Sequence, residues 1–329
     1  MIEVATITNQ ECIFRLRPEW EALWQRDPAA TPFQSPAWLF AWWRFFGTPD
    51  PLVLTARVGG EVVGILPLYL LRESGCRKLL PIGVGLSDYI DALVDPGVPA
   101  TVDRLIDAIA AISGWDECWL PDLAPQGVLA QASANSGLTD RITIASPCPV
   151  LMLPGEPAGL KRVIPRTRLQ GLHRARRRAT AAGGIVLETI GEEQLDAAMD
   201  DLFRLHDRRW RARGERGVCS DPRVQGFHRM AAVGLLTAGM LRLYRLSIDD
   251  TALAVCYGFA AKGSAYAYLS GFDPSQSRLS PGMLIIGHAI EQAAAEGAAS
   301  FDFLRGAEGY KYGWGAVDRG KVSRQLSRG

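Results

Sequence analysis

The sequence is poor in histidine and has almost no net charge, with four histidines and a formal charge of +1 over 329 residues. Because 36 basic residues are balanced by 35 acidic ones, the surface as a whole does not attract nucleic acid or membranes, and any polyanion binding must be local. No apolar run approaches the roughly 20 residues that span a bilayer, and no basic segment precedes an apolar core at the N-terminus. These absences predict a cytoplasmic protein without membrane insertion.

Metal and thiol motifs are also missing. The six cysteines are scattered, and they form neither a CxxC pair nor a Cys/His cluster with the spacing of metal ligands, so we expect buried reduced thiols and no metal. No cysteine has a histidine close by in sequence, and no G-x-S-x-G elbow occurs. The sequence therefore favours chemistry that needs no covalent nucleophile.

The order of strands and helices predicts an α/β fold of two domains with mixed sheets. The length and the 48% hydrophobic content are sufficient for two filled cores. Apolar runs at 52–58 and 61–71 flank Gly59-Gly60 and predict a hairpin. Runs at 241–248, 253–261 and 265–271 predict a meander, and the order of elements is similar in both halves. The Pro-rich tract from Pro147 to Pro157 favours a boundary, which gives domains 1–155 and 156–329.

One segment is strongly basic. Residues 161–178 hold eight Lys and Arg residues and no acid, and the apolar positions Leu169, Leu172, Ala175 and Ala179 recur at helical spacing. We expect an amphipathic helix that ends at Gly183-Gly184. Its arginines either form a solvated face, which is the common outcome, or follow a phosphate backbone.

A turn near the C-terminus predicts an anion site. Ser280 precedes Pro281-Gly282 and the run Met283 to Ile286, so we expect Ser280 to cap a helix that starts at Pro281. Free N–H groups at such an end attract phosphate, and Arg278 supplies a nearby cation. The alternative is an ordinary capped helix.

Several motifs, in this order, resemble one family. They are Pro32 to Trp38 with Trp42, Gly64 to Leu68, Asp88-Tyr89 with Asp91, the basic helix to Arg178, Leu205 to Trp210, Ser280-Pro281-Gly282, and Phe301 to Lys311. The chain resembles the GNAT-related, Fem-type acyltransferases, specifically the CelD-like acetyltransferases of cellulose and exopolysaccharide clusters. The resemblance covers most of the chain.

This resemblance implies two tandem GNAT-like acyl-CoA N-acyltransferase domains, with acyl-CoA as donor and an amine or hydroxyl as acceptor. The donor site would consist of Arg278, Ser280, Gly282 and Met283. The usual acyl-CoA-binding loop of GNAT enzymes has the pattern Q/R-x-x-G-x-G/A. Residues 278–283 of this chain keep only one of its glycines, and that glycine is displaced by one position. Fewer glycines allow fewer N–H groups to approach a diphosphate closely.

Most candidate catalytic residues lie in or just after the last predicted strand of the second half, residues 300–304. Asp302 is a candidate general base, or a strand-end carboxylate that caps the next turn or pairs with Arg305. Lys311 is a candidate for polarising the carbonyl. Arg305 and Tyr310 share this loop with Glu308, and a local ion-pair cluster is the alternative. His206 lies on an apolar helix face, where a hydrogen-bonded core histidine is commoner than a base.

Candidate acceptor-binding residues lie in both halves. Asp88 and Asp91 flank Tyr89 in an extended segment, so both carboxylates could hold a cationic amine, or they could cap a turn. Trp210 shares the inward helix side with His206. We predict an acyltransferase that modifies a sugar or glycan precursor. The alternatives are an aminoacyl-tRNA-dependent Fem-type peptidyl transferase and a non-catalytic scaffold with a decayed donor site.

Overall fold

The structure is a computed structural model that describes residues 1–47, 50–73, 75–133, 137–212 and 214–328. The chain forms two compact units. The first consists of Met1–Ser146 with Gly320–Gly329, and the second of Pro147–Arg319. The fold is mixed α/β, as the sequence predicts.

The helices and strands follow in chain order. They are β1 (Glu3–Ile7), α1 (Gln10–Arg15), α2 (Arg17–Arg26), α3 (Pro36–Phe46), β2 (Pro51–Val58), β3 (Glu61–Glu73), β4 (Cys76–Pro81), β5 (Leu93–Val94), α4 (Thr101–Ala111), β6 (Glu117–Leu123), α5 (Val128–Gln131) and β7 (Thr139–Met152). The rest are α6 (Leu160–Val163), α7 (Arg166–Ala181), β8 (Val186–Thr189), α8 (Leu195–Arg211), α9 (Pro222–Thr237), β9 (Leu241–Ile248), β10 (Thr251–Ala261), β11 (Ser264–Phe272), α10 (Pro281–Ala295), β12 (Ser300–Asp302), α11 (Gly309–Tyr312) and β13 (Val317–Ser327).

The sheet of the first unit has the order β1-β2-β3-β4-β6-β13, with β5 beside β3. The predicted hairpin is confirmed, since β2 pairs antiparallel with β3. Gly59 and Gly60 have φ of 58° and 88°, which matches a two-residue turn that needs positive φ at both positions. The aromatic helix α3 packs into this unit, and Trp38 is fully buried.

Strand β13 was not predicted, because its sequence is polar. Two of its charged side chains are nonetheless buried, Lys321 and Arg324. Lys321 Nζ lies 2.5 Å from Asp122 Oδ1, and Arg324 Nη2 lies 2.7 Å from Asp140 Oδ2. A buried cation with a carboxylate partner is tolerated, but no hydrophobic periodicity marks such a strand in the sequence.

The second unit contains the predicted meander. β9, β10 and β11 pair antiparallel, and both connecting turns have positive φ, at Asp249-Asp250 (45° and 62°) and at Lys262-Gly263 (50° and 73°). β11 pairs parallel with β12, and β12 pairs antiparallel with β7. The chain between β11 and β12 forms α10, which crosses over the sheet.

The amphipathic prediction for residues 161–178 is confirmed for α7. Leu172, Ala175 and Ala179 are buried against the α10 side chains Leu284 and Ile285 in one apolar core. The chain leaves the helix through Gly183 and Gly184, which have φ of 124° and 86°.

Two local predictions differ from the structure. Strand β7 continues through Pro147 and Pro149, where the prolines indicate a break in regular structure. Because proline removes an N–H donor but keeps its carbonyl, Pro149 O still accepts the Phe303 N–H at 2.9 Å. Cysteines 118, 148, 219 and 256 are buried as expected, whereas Cys12 is exposed.

Candidate functional site

The chain after β11 turns sharply before α10 begins. Asp273 Oδ1 accepts the Ser275 N–H at 3.0 Å and opens a short 3-10 turn. Ser280 then adopts φ 58° and ψ 50°, and Pro281 takes the first helical position. With this left-handed backbone conformation, the Ser280 side chain makes no capping hydrogen bond to the helix. The predicted capping role of Ser280 is therefore wrong, although Ser280 does precede the helix as predicted.

The first turn of α10 keeps one N–H available. Met283 and Leu284 donate to Ser280 O at 3.0 and 3.1 Å, and Pro281 has no N–H. Among the described residues, no acceptor takes the Gly282 N–H. A free N–H at a helix start carries partial positive charge and suits an anion.

The Ser280 hydroxyl binds the basic helix instead of capping α10. Arg178 Nη2 donates to Ser280 Oγ at 3.1 Å, and Arg178 Nε donates to Arg278 O at 2.9 Å. Both arginines are exposed. The end of α7 therefore adds cationic charge beside the start of α10.

A cleft with a volume of about 340 Å³ opens at this helix start. The predicted donor residues Ser280, Gly282 and Met283 line it together with Tyr310, whereas Arg278 is not part of its wall. The other lining residues are Arg168, Arg209, Ser270, Phe272, Ser277, Pro281, Ile286 and Trp314.

Arg168 was not predicted as a site residue, because nothing in the sequence distinguishes it from the other basic residues of 161–178. Its Nε donates to Gly313 O at 3.0 Å and its Nη2 to Tyr310 O at 3.4 Å. Its guanidinium lies 5.2 Å from the centre of the Trp314 ring. Burial lowers the pKa of Arg168 below its usual value, as expected for a cation in a poorly solvated site.

Arg209 is the second cleft residue that the sequence did not predict. It comes from α8, and its guanidinium lies 5.0 Å from the centre of the Phe272 ring. Its Nη1 donates to Ser270 O and Oγ, both at 3.3 Å. Arg209 follows His206 by about one helical turn, so both lie on the same side of α8. This spacing is the sequence feature from which Arg209 could have been predicted.

The pairing of β11 with β12 ends after three residues. β11 and β12 pair only at Ser264–Ser300, Ala265–Phe301 and Tyr266–Asp302, after which β12 ends and β11 continues to Phe272. Phe272 lies over the helix start, since a Cβ on Gly282 would be 3.2 Å from its ring. The outer part of β11 thus forms one side of the cleft.

Asp302 is fully buried at the end of β12. Its Oδ1 accepts the Leu304 N–H at 2.7 Å, and its Oδ2 lies 4.0 Å from Arg319 Nη1. Leu304 has φ 58°, an unfavourable angle for a bulky residue that the carboxylate helps to stabilise. The structure therefore places Asp302 as a turn cap and not on the cleft wall.

Lys311 is buried and holds the loop that precedes it. Its Nζ donates to the carbonyls of Leu304, Arg305 and Gly306 at 3.1, 2.7 and 3.0 Å, and it lies 2.9 Å from Glu308 Oε2. An ammonium has three N–H donors, so these contacts use all of them. The Arg305 side chain is exposed.

His206 and Trp210 form a hydrogen-bonded pair outside the cleft wall. Trp210 Nε1 donates to His206 Nε2 at 2.9 Å. Burial lowers the pKa of His206 to about 4, and the charge of Arg209 adds to this, although Asp207 opposes it. The imidazole is therefore neutral at pH 7, as in a core histidine.

The first-unit candidates make structural hydrogen bonds, Asp91 through its carboxylate and Asp88 and Tyr89 through their backbone carbonyls. Asp91 accepts the N–H groups of Ala92, Val128 and Leu129 at 2.9 Å each, so it caps α5. Asp88 O accepts from Lys321 Nζ at 3.3 Å, and the Tyr89 carbonyl accepts from Gln34 Nε2 at 2.8 Å. The capping alternative fits these contacts of Asp91.

The described residues offer neither a metal cluster nor a membrane span. Within residues 1–47, 50–73, 75–133, 137–212 and 214–328, no three His, Cys, Asp or Glu side chains are grouped so as to hold a metal ion. In those same ranges, each helix is too short or too polar to cross a bilayer.

Residues 166–312 match the family model described as acetyltransferase (GNAT) domain. This segment contains α7, the cleft and α11. No curated protein matches the sequence.

The fold is shared with several solved structures at low sequence identity. FemX superposes with a TM-score of 0.71 and 12% identity, covering 98% of this chain and 96% of FemX. The C-terminal domain of a putative lysylphosphatidylglycerol synthetase from Agrobacterium fabrum has a TM-score of 0.60 and 13% identity, with 96% and 92% coverage. A tandem GNAT protein from the clavulanic acid biosynthesis pathway has a TM-score of 0.50 and 14% identity, with 100% and 99% coverage. These likenesses establish the fold.

The contacts of Lys311 predict a large drop in stability on its removal. Lys311→Met would leave three carbonyls and Glu308 without their buried cation, so we expect a decrease of about 3 kcal/mol in the free energy of unfolding. Amide hydrogen exchange at 304–309 should become faster. Lys161→Met, at an exposed lysine, is the control. Equal denaturation midpoints for both variants would contradict the assigned role.

The low pKa of His206 predicts weaker folding in mild acid. An unfolded histidine titrates near pH 6.5, whereas buried His206 titrates at about 4. Between these values the unfolded state binds more protons, so stability is complete above pH 6.5 and falls toward pH 4. His206→Gln keeps an acceptor for Trp210 and should reduce this decrease by about 1–3 kcal/mol. The exposed His173→Gln is the control, and equal pH slopes in all three proteins would refute the prediction.

Proposed function

We propose that the chain is an acyltransferase whose second unit binds acyl-CoA in the cleft at the start of α10. The observation that carries the proposal is that Gly282, whose N–H has no acceptor among the described residues, lines one cleft together with Arg168 and Arg209. The acyl group would pass to an amine or hydroxyl. A sugar or glycan precursor as acceptor follows from the resemblance to exopolysaccharide-associated acetyltransferases.

The charges at the helix start support a diphosphate. A helix N-terminus attracts anions through its free N–H groups and its dipole. Arg168 and Arg209 add two guanidinium groups to the wall, and Arg178 binds Ser280 at its edge. Guanidinium groups suit phosphate because their parallel N–H donors match two oxygens.

The part of β11 that extends beyond its pairing with β12 supports the binding of the rest of the donor. Beyond Tyr266, β11 continues without the pairing that β12 provides at Ser264–Tyr266. Backbone groups on such a strand edge pair readily with an extended chain that carries amides. The amide-containing arm of coenzyme A has this chemistry, and Phe272 and Met283 supply apolar contacts.

The reaction would proceed by direct attack. The acceptor nitrogen or oxygen forms a bond to the thioester carbonyl carbon, the C–S bond breaks, and the acceptor proton passes to water. We propose that the Tyr310 hydroxyl, on the cleft wall, protonates the leaving thiolate and then regains a proton from water. Asp302 and Lys311 would act by holding the loop before Tyr310. Roles in the reaction for His206 and Arg305, and in acceptor binding for Asp88, Tyr89, Asp91 and Trp210, stay predictions.

A second candidate is an aminoacyl-tRNA-dependent transferase of the Fem type. The likeness to FemX over almost the whole of both chains favours it, together with the exposed Arg166, Arg174 and Arg177 on α7. The scaffold alternative is weaker, because Gly282, the glycine that remains of the pattern, lines a cleft and its N–H has no acceptor among the described residues.

The donor proposal is tested at Gly282. Acetyl-CoA titrated by calorimetry should bind, and Gly282→Asp should weaken it at least tenfold, because a carboxylate would face the phosphates. Gly282→Ala should weaken binding less, since the three atoms nearest to its Cβ all belong to the Phe272 ring, at 3.2 Å or more. Gly320→Asp adds the same charge in the first unit, where a Cβ meets nothing within 4 Å. No heat at millimolar donor, or equal affinity in all variants, would sink the proposal.

The tRNA candidate is tested by salt dependence. Filter binding of charged tRNA across a salt series should give a steep slope, to which each phosphate neutralised by the protein adds about 0.7–0.9. If α7 binds tRNA, Arg174→Gln with Arg177→Gln should lower the slope by about 1.5. The acyl-CoA proposal expects the same double variant to keep its affinity for acetyl-CoA. A double variant that no longer binds acetyl-CoA would contradict this expectation.

A further inference from the structure

We infer that the second unit has a further ligand site, separate from the donor cleft, which binds a long-chain carboxylate. The site is a pocket with a volume of about 450 Å³, bounded by α6, α7 and α10. This volume is within the range of small-molecule sites. The inference goes beyond the proposed function and does not depend on it.

The floor of the pocket is apolar and already formed. Its side chains are Leu160, Ile164, Leu169, Leu172 and Trp314, and all of these except Leu169 are buried. Gly287 of α10 allows the floor to pack closely, since a Cβ there would be 2.9 Å from Leu172 Cδ1 and 3.1 Å from the Trp314 ring. Exposed Pro157, Ala158 and Ala295 form the sides. A preformed apolar surface of this kind binds an alkyl chain with little cost of reorganisation.

Trp314 separates the pocket from the donor cleft. Among the described residues, it is the only one that lines both cavities. On the cleft side, the Arg168 guanidinium lies 5.2 Å from the centre of its ring. A chain bound in the pocket therefore leaves Arg168 and Gly282 to the donor.

The rim of the pocket carries an unpaired cation. Exposed Lys161 lines the pocket, and no carboxylate among the described residues lies within ion-pair distance of it. Glu291 also lines the pocket, but it pairs with Arg176. Beyond these residues, exposed Arg174 and Arg177 continue the basic face of α7. A positive rim above an apolar floor suits an amphiphile with an anionic head.

The charges at the rim favour a carboxylate over a phosphate as this head. A phosphate monoester carries about −1.5 to −2 charges at pH 7, and the carboxylate of Glu291 in the same wall repels a second negative charge. A carboxylate has one charge, which the ammonium of Lys161 balances. A fatty acid joins this head to an alkyl chain that the floor can bury.

Alkyl compounds with different head groups test the inference. We expect calorimetry on the whole chain, below the concentrations at which micelles form, to show one saturable site for decanoate. Decylammonium should bind at least about tenfold more weakly, because it places a second cation beside Lys161, and 1-decanol should fall between the two. Hexanoate should also lose at least about tenfold, since each methylene removed from water adds up to about fourfold in affinity. Absence of saturable decanoate binding, or equal affinity for decylammonium, would overturn the inference.

A pocket-filling variant locates the site. Ala295→Phe adds a ring at an exposed wall residue, where it competes with the alkyl chain, and should weaken decanoate binding at least about tenfold. Ala181→Phe is the matched control, because Ala181 is the exposed last residue of α7 just as Ala295 is the exposed last residue of α10, and it lies outside the pocket wall. Decanoate affinity that is the same in Ala295→Phe and in the unchanged chain would contradict the assigned pocket.

A charge variant tests the partner of the carboxylate. Lys161→Gln should lower the affinity for decanoate about threefold to fivefold, as for an exposed ion pair, and leave the affinity for 1-decanol unchanged. Arg162→Gln is the control, since Arg162 is the next residue, pairs with Glu156 and lies outside the wall. A decanoate-to-decanol ratio that Lys161→Gln does not change would refute the role of Lys161.

Competition with the donor separates this inference from the proposed function. Saturating acetyl-CoA should leave decanoate bound, because the two ligands occupy different cavities. Loss of decanoate binding on addition of acetyl-CoA would place the alkyl chain in the donor cleft and overturn the inference. If acetyl-CoA does not bind at all, the donor proposal fails, and the decanoate series with Ala295→Phe still decides this inference.

Discussion

The parallel pairing of β11 with β12 is the constraint on which the second unit depends. Parallel neighbours need a crossover connection, and α10 is that crossover, so its first turn must follow the outer end of β11. Because β12 pairs for only three residues, the sheet opens beside this helix start. The free Gly282 N–H, the outer part of β11 and the cleft between them all follow from this one topological fact.

Cations held by backbone carbonyls complete the site. Lys311 binds three carbonyls of the loop after β12, which fixes the path of the chain into α11. Arg168 then joins α7 to Tyr310 and Gly313. Lys321 in the first unit combines one such carbonyl, Asp88 O, with the carboxylate of Asp122. The cations of these loops therefore stabilise the structure. Arg168 also lines the cleft, where its guanidinium can contact a ligand.

Local patterns made much of the fold predictable. The β2–β3 hairpin, the meander and the buried stripe of α7 each depend on periodicity and turn chemistry within a short segment. Strand β13 could not be predicted, because its buried Lys321 and Arg324 pair with carboxylates that are distant in the sequence. The cleft was half predictable: Ser280, Gly282, Met283 and Tyr310 carry a local signature, whereas Arg168 meets Gly313 across 145 residues, which no pattern in one sequence encodes.

The most direct measurement is a crystal structure with bound acetyl-CoA. We predict the diphosphate within hydrogen-bond distance of the Gly282 N–H, with the guanidinium of Arg168 or Arg209 facing the donor and its amide arm along β11 beyond Tyr266. Donor bound in the first unit, or bound in the second unit away from the start of α10, would contradict the central claim.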